Sequence, residues 1–282
     1  MVLLDVVRQL PGVRLIVAHV NHGIRQDATE DATLVRMVAM SHNLEYEETQ
    51  LQLRSKPSEE EARTARYDFL RHISKKYNAR AILTAHHKND VIETALINLT
   101  RGTGWRGLSS LRSTEAIRRP FIAASKSDIE AYARQYGVLW RYDSTNDDAR
   151  YLRNHIRHHV VPRMSAPVLE KLYAYIVRQS ELTKQIDHEA YGWIKRSIFY
   201  SNSSASLPRY EFIMLPHNVA HELLQGVLRQ VSGKSLPRPL ANRALLFIKV
   251  AKSHKTFPID AEWQLRALPR EVIVERTPLV VS

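Results

Sequence analysis

The first half of the chain alternates short apolar runs with stretches of helical period. Residues 14–20 (RLIVAHV) form a nearly continuous apolar run, which predicts a strand buried on both faces, and residues 82–85 (ILTA) predict a second buried strand. Helices are expected around them. Residues 2–10 form a short one closed by Pro11-Gly12. Asp27 and Glu30 start another that runs to about His42, with Leu34, Val35 and Val38 inward. Residues 44–51 alternate loosely and read as a strand. Behind Pro57, Ser58 and Glu61 make a capping box for a helix to about Tyr77, whose inner stripe is Ala62, Ala65, Phe69 and Ile73. A further helix after His87 carries Ile92, Ala95, Leu96 and Leu99 along one side. Ser125 caps another, with Ile129, Tyr132 and Tyr136 on its face and Gly137 as its stop. Strands alternating with helices, joined by connections too long for hairpins, predict an α/β domain built on a parallel sheet.

The second half reads differently. A polar turn cluster at residues 143–148 leads to a helix with Arg150, Arg153 and Arg157 on one face and Asn154 alongside, ended by Pro162. One long helix from Pro167 to about Lys195 repeats Leu169, Leu172, Ile176, Thr183, Ile186, Ala190 and Trp193 at three–four spacing. Residues 210–231 and 240–252 predict further helices, and patches such as residues 271–274 (EVIV) predict short strands. This part is expected to be mainly α-helical, with a β-like tail over residues 254–282.

Composition narrows the function classes. With 282 residues, 44% hydrophobic and 25% charged, the chain is ordinary globular material, long enough for two modest domains. No apolar run approaches the roughly 20 residues of a membrane span, and the start (MVLLDVVRQLPG) lacks the features of a signal peptide. The absence of cysteine excludes disulfides, thiolate metal sites and persulfide chemistry, and favours a cytoplasmic setting. The net charge of +12 is unevenly placed: residues 1–150 hold 22 Lys+Arg against 19 Asp+Glu, residues 151–282 hold 19 against 10. A basic C-terminal part on a near-neutral N-terminal one predicts a polyanionic partner.

The chemistry concentrates in residues 83–108, LTAHHKNDVIETALINLTRGTGWRGL. Asp90 and Glu93, three apart, share one helix face near its N-terminus, bordered by apolar Ile97. With His86 and His87 beside them they read as an acidic pocket able to bind an ammonium group and take its proton as general base. His86-His87 with Asp90 lacks the HExxH spacing and a third ligand, so no metal centre is expected. Arg66 sits beside its helix's apolar stripe, as a stem-packed surface residue or as part of a site. Arg101-Gly102-Thr103-Gly104 resembles a phosphate-cradling segment without Walker spacing, and Ser232-Gly233-Lys234-Ser235 imitates a P-loop end but lacks the preceding strand. Two histidines, two carboxylates, an arginine and bare backbone are expected to converge where a strand hands over to a helix, the edge at which open α/β sheets bind ligands.

Seven motifs then arrive in order: AHVNHGIR (18–25), EEEARTARYDFL (59–70), LTAHHKNDVIET (83–94), RGTGWRGL (101–108), RRPFI (118–122), DSTN (143–146) and RNHIR (153–157). Together they resemble the tRNA(Ile)-lysidine synthetases, N-type ATP pyrophosphatases of the PP-loop superfamily. The likeness is dense over residues 1–163 and general beyond. It implies a nucleotide-binding catalytic domain over 1–163, a helical tRNA-binding domain over 164–253, and a reaction in which ATP, with magnesium, adenylates the C2 oxygen of a wobble cytidine before the ε-amine of free lysine displaces AMP. The implied partners are isoleucine tRNA and L-lysine, with no membrane, and a homodimer is one arrangement open to it.

Carried over residue by residue, the resemblance gives Asp90, Glu93 and Arg66 to lysine and catalysis. His19, Asn21, His22, His86, His87, Arg101, Gly102 and Gly104 go to ATP, and Arg153, Arg157 and Lys126 to phosphate or tRNA backbone. Two departures stand out. Asn89 and Val91 replace an Asp and a Gln of the family's HHxDDQxET, which is expected to weaken magnesium–ATP placement. The family's opening strand and Ser-Gly-Gly-x-Asp-Ser loop have no counterpart in the sequence, so Met1 is expected to be an internal methionine of a longer protein, and the chain as written to bind ATP poorly. Two other readings stay open: a non-catalytic tRNA-binding relative, and a thiolating relative, which the absence of cysteine disfavours.

Overall fold

The computed structural model describes residues 1–21, 28–51, 59–141, 152–201 and 204–278. His22, Arg150 and the segment 143–146, all singled out from the sequence, lie outside the described residues. The chain divides into two compact units, Met1–Glu181 and Leu182–Ser282, where the sequence reading drew boundaries after residues 163 and 253.

The first unit is α/β. Helix α1 (Val2–Arg8) precedes β1 (Ile16–Asn21), and α2 (Ala28–Ser41) carries the chain to β2 (Glu45–Gln50), which pairs parallel to β1 from Ile16↔Glu45 to Asn21↔Gln50. Helix α3 (Glu59–Lys76) leads to β3 (Ile82–Leu83). Then α4 (Lys88–Thr100) and α5 (Trp105–Leu108) lead to β4 (Ile117–Arg118), parallel to β3, and α6 (Lys126–Gln135) follows. A crossover between parallel strands is the expected βαβ solution. Next, α7 (Leu152–His155) runs into a π-helical turn over Ile156–Val160 and a 3-10 turn over Val161–Arg163 containing Pro162, and α8 (Ala166–Ser197) begins. Pro162 cannot donate a backbone hydrogen bond, which limits regular helix there.

Two expectations need correction. Strands β1 and β3 are half-buried, not sealed on both faces. Among the described residues the parallel pairs form two separate two-stranded sheets, so neither strand has hydrogen-bonded neighbours on both edges. On α4 the apolar stripe shifts: Ile92 and Ala95 are buried, as are Val91 and Ile97, but Leu99 is 50% exposed. The unit's core gathers Val91, Ile92, Ala95 and Ile97 of α4 with Leu111, Ile156, Val161 and Ile176, so α4 is held between the segment after α7 and the first half of α8.

The second unit pairs β5 (Phe199–Ser201), β6 (Ser204–Pro208), β7 (Thr256–Pro258), β8 (Trp263–Ala267) and β9 (Glu271–Arg276) in one antiparallel sheet, order β5-β6-β9-β8-β7. The residues read as a β-like tail therefore share a sheet with strands some 50 residues upstream. The helix predicted over 210–231 is two, α9 (Arg209–Met214) and α10 (His217–Ser232), parted at Leu215-Pro216. With α11 (Arg238–Val250) they cover alternating sheet residues Leu207, Leu265, Val272 and Val274.

Candidate active site

The site is built on the first turn of α4, just beyond the carboxyl end of β3. His87 is the N-cap residue, and its backbone amide donates to Asp90 Oδ2 at 2.9 Å. A carboxylate there satisfies an amide that the helix leaves unpaired and meets the positive end of the helix dipole. One turn on, Glu93 lies on the same face. Both carboxylates are buried, at 8% and 2% exposure.

Buried carboxylates need partners, and α7 with its π-helical turn supplies them. Ile156 packs in the core with Val91 and Ile92, which brings Arg153 and Arg157, one turn apart, onto the acid face of α4. Arg157 grips Glu93 with two bonds, Nε to Oε1 and Nη2 to Oε2, both 2.8 Å. Arg153 straddles the pair, donating from Nε to Glu93 Oε2 at 3.2 Å and from Nη2 to Asp90 Oδ1 at 3.1 Å. Arg157 Nη2 also reaches Asp90 Oδ1 at 3.4 Å. Two negative and two positive charges thus lock together. Burial acts to raise the Asp90 carboxyl, but the charge and amide of His87 and the guanidinium of Arg153 outweigh it, and Asp90 is held below the usual carboxylate range.

This arrangement differs from the sequence reading. Arg66 was expected beside the acids and Arg153 with Arg157 at the mouth; the structure puts Arg153 and Arg157 on the acids. Arg66, from α3, makes no ion pair with either carboxylate among the described residues and lies over the Tyr67 ring, 5.5 Å from its centre. Burial lowers its pKa, and Asp90 is near enough to act against that. The glycine segment does not join the site either. Arg101 caps the far end of α4, 11 residues beyond Asp90, which at about 1.5 Å per residue is roughly 16 Å away. There Gly102 takes the left-handed conformation (φ 66°) and Gly104 starts α5, both exposed.

The remaining residues fall into two places. His86 and His87 flank the acids. Lys126 starts α6 close by: its amide donates to Asn89 Oδ1 at 3.2 Å, so the asparagine that departs from the family pattern ties α6 to α4. His19 and Asn21 sit on β1, Asn21 buried at its end. Burial lowers the His19 pKa, against the pull of Glu48 and Asp31. The sequence reading assigned no role to Tyr67 or Arg119. Arg119 directly follows β4, as His86 follows the parallel β3, and its position before Pro120 at that strand end was the signal available.

His86 is neutral near pH 7. Burial, helped by Arg119, Arg66 and Arg153 and opposed by Asp90, takes it from 6.5 to about 4, and Thr84 Oγ1 lies 2.8 Å from its Nδ1. The unfolded chain binds this proton below about pH 6.5 and the folded chain only below about 4, so stability falls as pH drops through that window. Between pH 7 and pH 5 the expected loss from this group is about 2 kcal/mol. Urea unfolding of His86→Gln should show a correspondingly shallower loss; an unchanged pH dependence contradicts the assignment.

A second expectation concerns the turn after α4. A Cβ on Gly107 would lie 2.0 Å from Thr103 Oγ1, which donates to Asn98 O at 2.8 Å. Gly107→Ala should cost about 2 kcal/mol, and Thr103→Ala in the same chain should restore only part of it, because the Thr103 Cβ, 2.7 Å from the added one, remains. A melting temperature unchanged by Gly107→Ala contradicts this packing.

Residues 1–164 match the family model described as PP-loop domain. The chain belongs to the PP-loop family. Among curated relatives, the PP-loop protein here is 33% identical over 249 residues to the tRNA(Ile)-lysidine synthase of Thermotoga sp. (strain RQ2), covering 83% of this chain and 59% of that protein. It is 39% identical over 152 residues to that of Thermosipho africanus, covering 51% of this chain and 36% of the relative. The chain thus spans at most about 59% of the length of these two relatives. Among solved structures, a U34-tRNA thiolase, NcsA from Methanococcus maripaludis, aligns with a TM-score of 0.48 at 15% identity over 64% of this chain and 65% of that one, a likeness too slight to bear on function. No helix among the described residues is long and apolar enough to cross a membrane.

Proposed function

We propose that this PP-loop chain carries the catalytic part of a tRNA(Ile)-lysidine-forming ligase, in which ATP activates the C2 oxygen of a wobble cytidine and the ε-amine of free lysine replaces it with release of AMP. The observation that supports it is the buried Asp90–Glu93 pair beyond the end of β3, in a chain whose curated relatives carry that name. Lysine reaches the site as an ammonium ion and must lose a proton before it attacks. Ionised carboxylates in a partly dry site can hold the ammonium and then accept the proton.

The arginines shape how this happens. With Arg153 and Arg157 in place the acid pair is already neutralised, so an incoming ammonium has to replace a guanidinium instead of adding to it. Such an exchange leaves no buried charge uncompensated, and the released arginine can turn to the phosphate or RNA backbone of the other substrate. ATP enters as its magnesium complex. Among the described residues no three His, Asp or Glu side chains gather to hold a metal, and the acid pair is committed to guanidiniums. Among the described residues, the donors in place do not fit a protein-held ion.

A second reading, a tRNA-binding relative without catalysis, is favoured by the fact that all four oxygens of the acid pair already accept hydrogen bonds from the protein. One assay separates the two. The protein is incubated with ATP, lysine and isoleucine tRNA, and the nucleosides are weighed. A mass gain on cytidine that requires both lysine and ATP is expected. Binding of tRNA with no such gain selects the second reading.

A further inference from the structure

Much of the apolar surface that the first unit leaves in water lies on one side of it. Leu10, Val13, Met37, Met40, Tyr136, Leu139 and Trp140 are each 47–66% exposed. All seven come from α1, α2, α6 and the turns that follow α1 and α6. Met37 and Met40 are three apart on α2 and so share a face.

Short links hold these elements in one layer. The Tyr132 hydroxyl of α6 donates to Asp5 Oδ2 of α1 at 2.9 Å and accepts from Gln9 Nε2 at 3.3 Å, directly before Leu10. Directly after Val13, Arg14 pairs with Glu45, just past the end of α2. Beyond α6, Gly137 takes the left-handed conformation (φ 63°) and turns the chain away. Arg141 then closes on Glu30 and Asp31, near the start of α2, at 2.6 and 2.9 Å. Leu139 and Trp140 are thereby carried from α6 across to α2. The Tyr136 ring is already set against Tyr132, their centres 4.4 Å apart.

Size and charge together select an occupant. At roughly 200 Å² for a large side chain, seven half-exposed ones present on the order of 700 Å². The largest apolar patch of a typical monomer is about 300–600 Å², and a standard interface takes about 800 Å² from each partner. Met, Tyr and Trp are also types enriched at the centre of interfaces. The chain carries a net charge of +12, yet the charges of these three helices are paired with one another or with β2. Arg8 meets Asp5, Arg36 meets Glu48, Lys126 and Arg134 meet Glu130, and Arg141 meets Glu30 and Asp31. A polyanion is drawn to unpaired cations, so this is a poor face for nucleic acid. Arginines and acids side by side around an apolar centre suit the same face of a second copy, where each sign meets the other across a two-fold axis.

We infer that the α1–α2–α6 face joins two copies of this chain in an isologous dimer, with Trp140 as an anchor. Asp90 and Glu93 lie on α4, outside this face, so the dimer is independent of the reaction proposed for the acid pair.

Sedimentation equilibrium of the full chain at micromolar concentrations tests this. The expected mass is twice the 32.5 kDa of one chain. Trp140→Asp and Met40→Asp, made separately and each present twice in the dimer, are expected to weaken association about thirtyfold or more. Weakening by at least one of them, with circular dichroism unchanged, is required. Leu246→Asp, at a position 60% exposed in the second unit, should leave association as it was. The dimer is overturned by a single-chain mass throughout, by growth beyond two chains, by indifference to both substitutions, or by equal loss with Leu246→Asp. A single-chain mass together with weaker tRNA binding by Trp140→Asp makes the face an RNA surface instead. If Trp140→Asp unfolds the chain, Met40→Asp, on the exposed side of α2, carries the readout alone.

Discussion

Arg157→Met is expected to destabilise the folded chain by about 3 kcal/mol, and adding Glu93→Gln to recover part of the loss. The Glu93 side chain is 3% exposed, and Arg157 supplies two of its three guanidinium bonds. Without Arg157 a buried carboxylate keeps Arg153 alone, at 3.2 Å. The Arg157 side chain is 26% exposed, so water screens part of the interaction, which holds the expected cost at the lower end for a broken buried pair. A double-mutant cycle followed by urea unfolding isolates the pairwise part. A coupling of about 1.5 kcal/mol or more is expected; a coupling near zero means the clasp contributes no stability.

Asp90→Asn should separate the two halves of the proposed reaction. Asparagine keeps one oxygen, enough for the His87 amide or for Arg153 but not both, and gives up the charge that holds an ammonium and accepts its proton. Transfer of lysine is expected to fall by about 10²–10⁴-fold, whereas ATP–pyrophosphate exchange in the presence of tRNA should stay within about tenfold, since adenylation uses no amine. Equal loss in both halves moves Asp90 out of the amine subsite. Because the Asp90 carboxyl is held low, it stays ionised throughout the neutral range, and protonation of this group should not limit the transfer step there.

What the sequence made legible was local. Asp90 and Glu93 share a helix face because they are three residues apart, and the capping pattern at Ser125 and Asp128 is present as expected. The partner of the acid pair was not legible. Arg66, Arg153 and Arg157 are all long, flexible cations, and only the packing of Ile156 against α4 decides which of them reaches the carboxylates, Arg153 and Arg157 doing so across 60 and 64 residues of chain to Glu93. The separation of the glycine segment from the acid pair was not legible either: adjacency in sequence to a site helix becomes distance once the helix is counted out at its rise per residue. Strands β5 to β9 are three to six residues long and carry polar residues on one face, so their joining into one sheet is a property of long-range pairing that no local pattern records. Leu215-Pro216 was visible, and the break between α9 and α10 follows from it.

The central claim is that an amino-acid amine exchanges with an arginine at the Asp90–Glu93 pair. A crystal structure of the protein with L-lysine and ATP tests it most directly. The ε-nitrogen of lysine should lie within about 3 Å of an Asp90 or Glu93 oxygen, with Arg153 or Arg157 withdrawn from the pair. Lysine bound elsewhere, with both arginines still gripping the carboxylates, contradicts the claim.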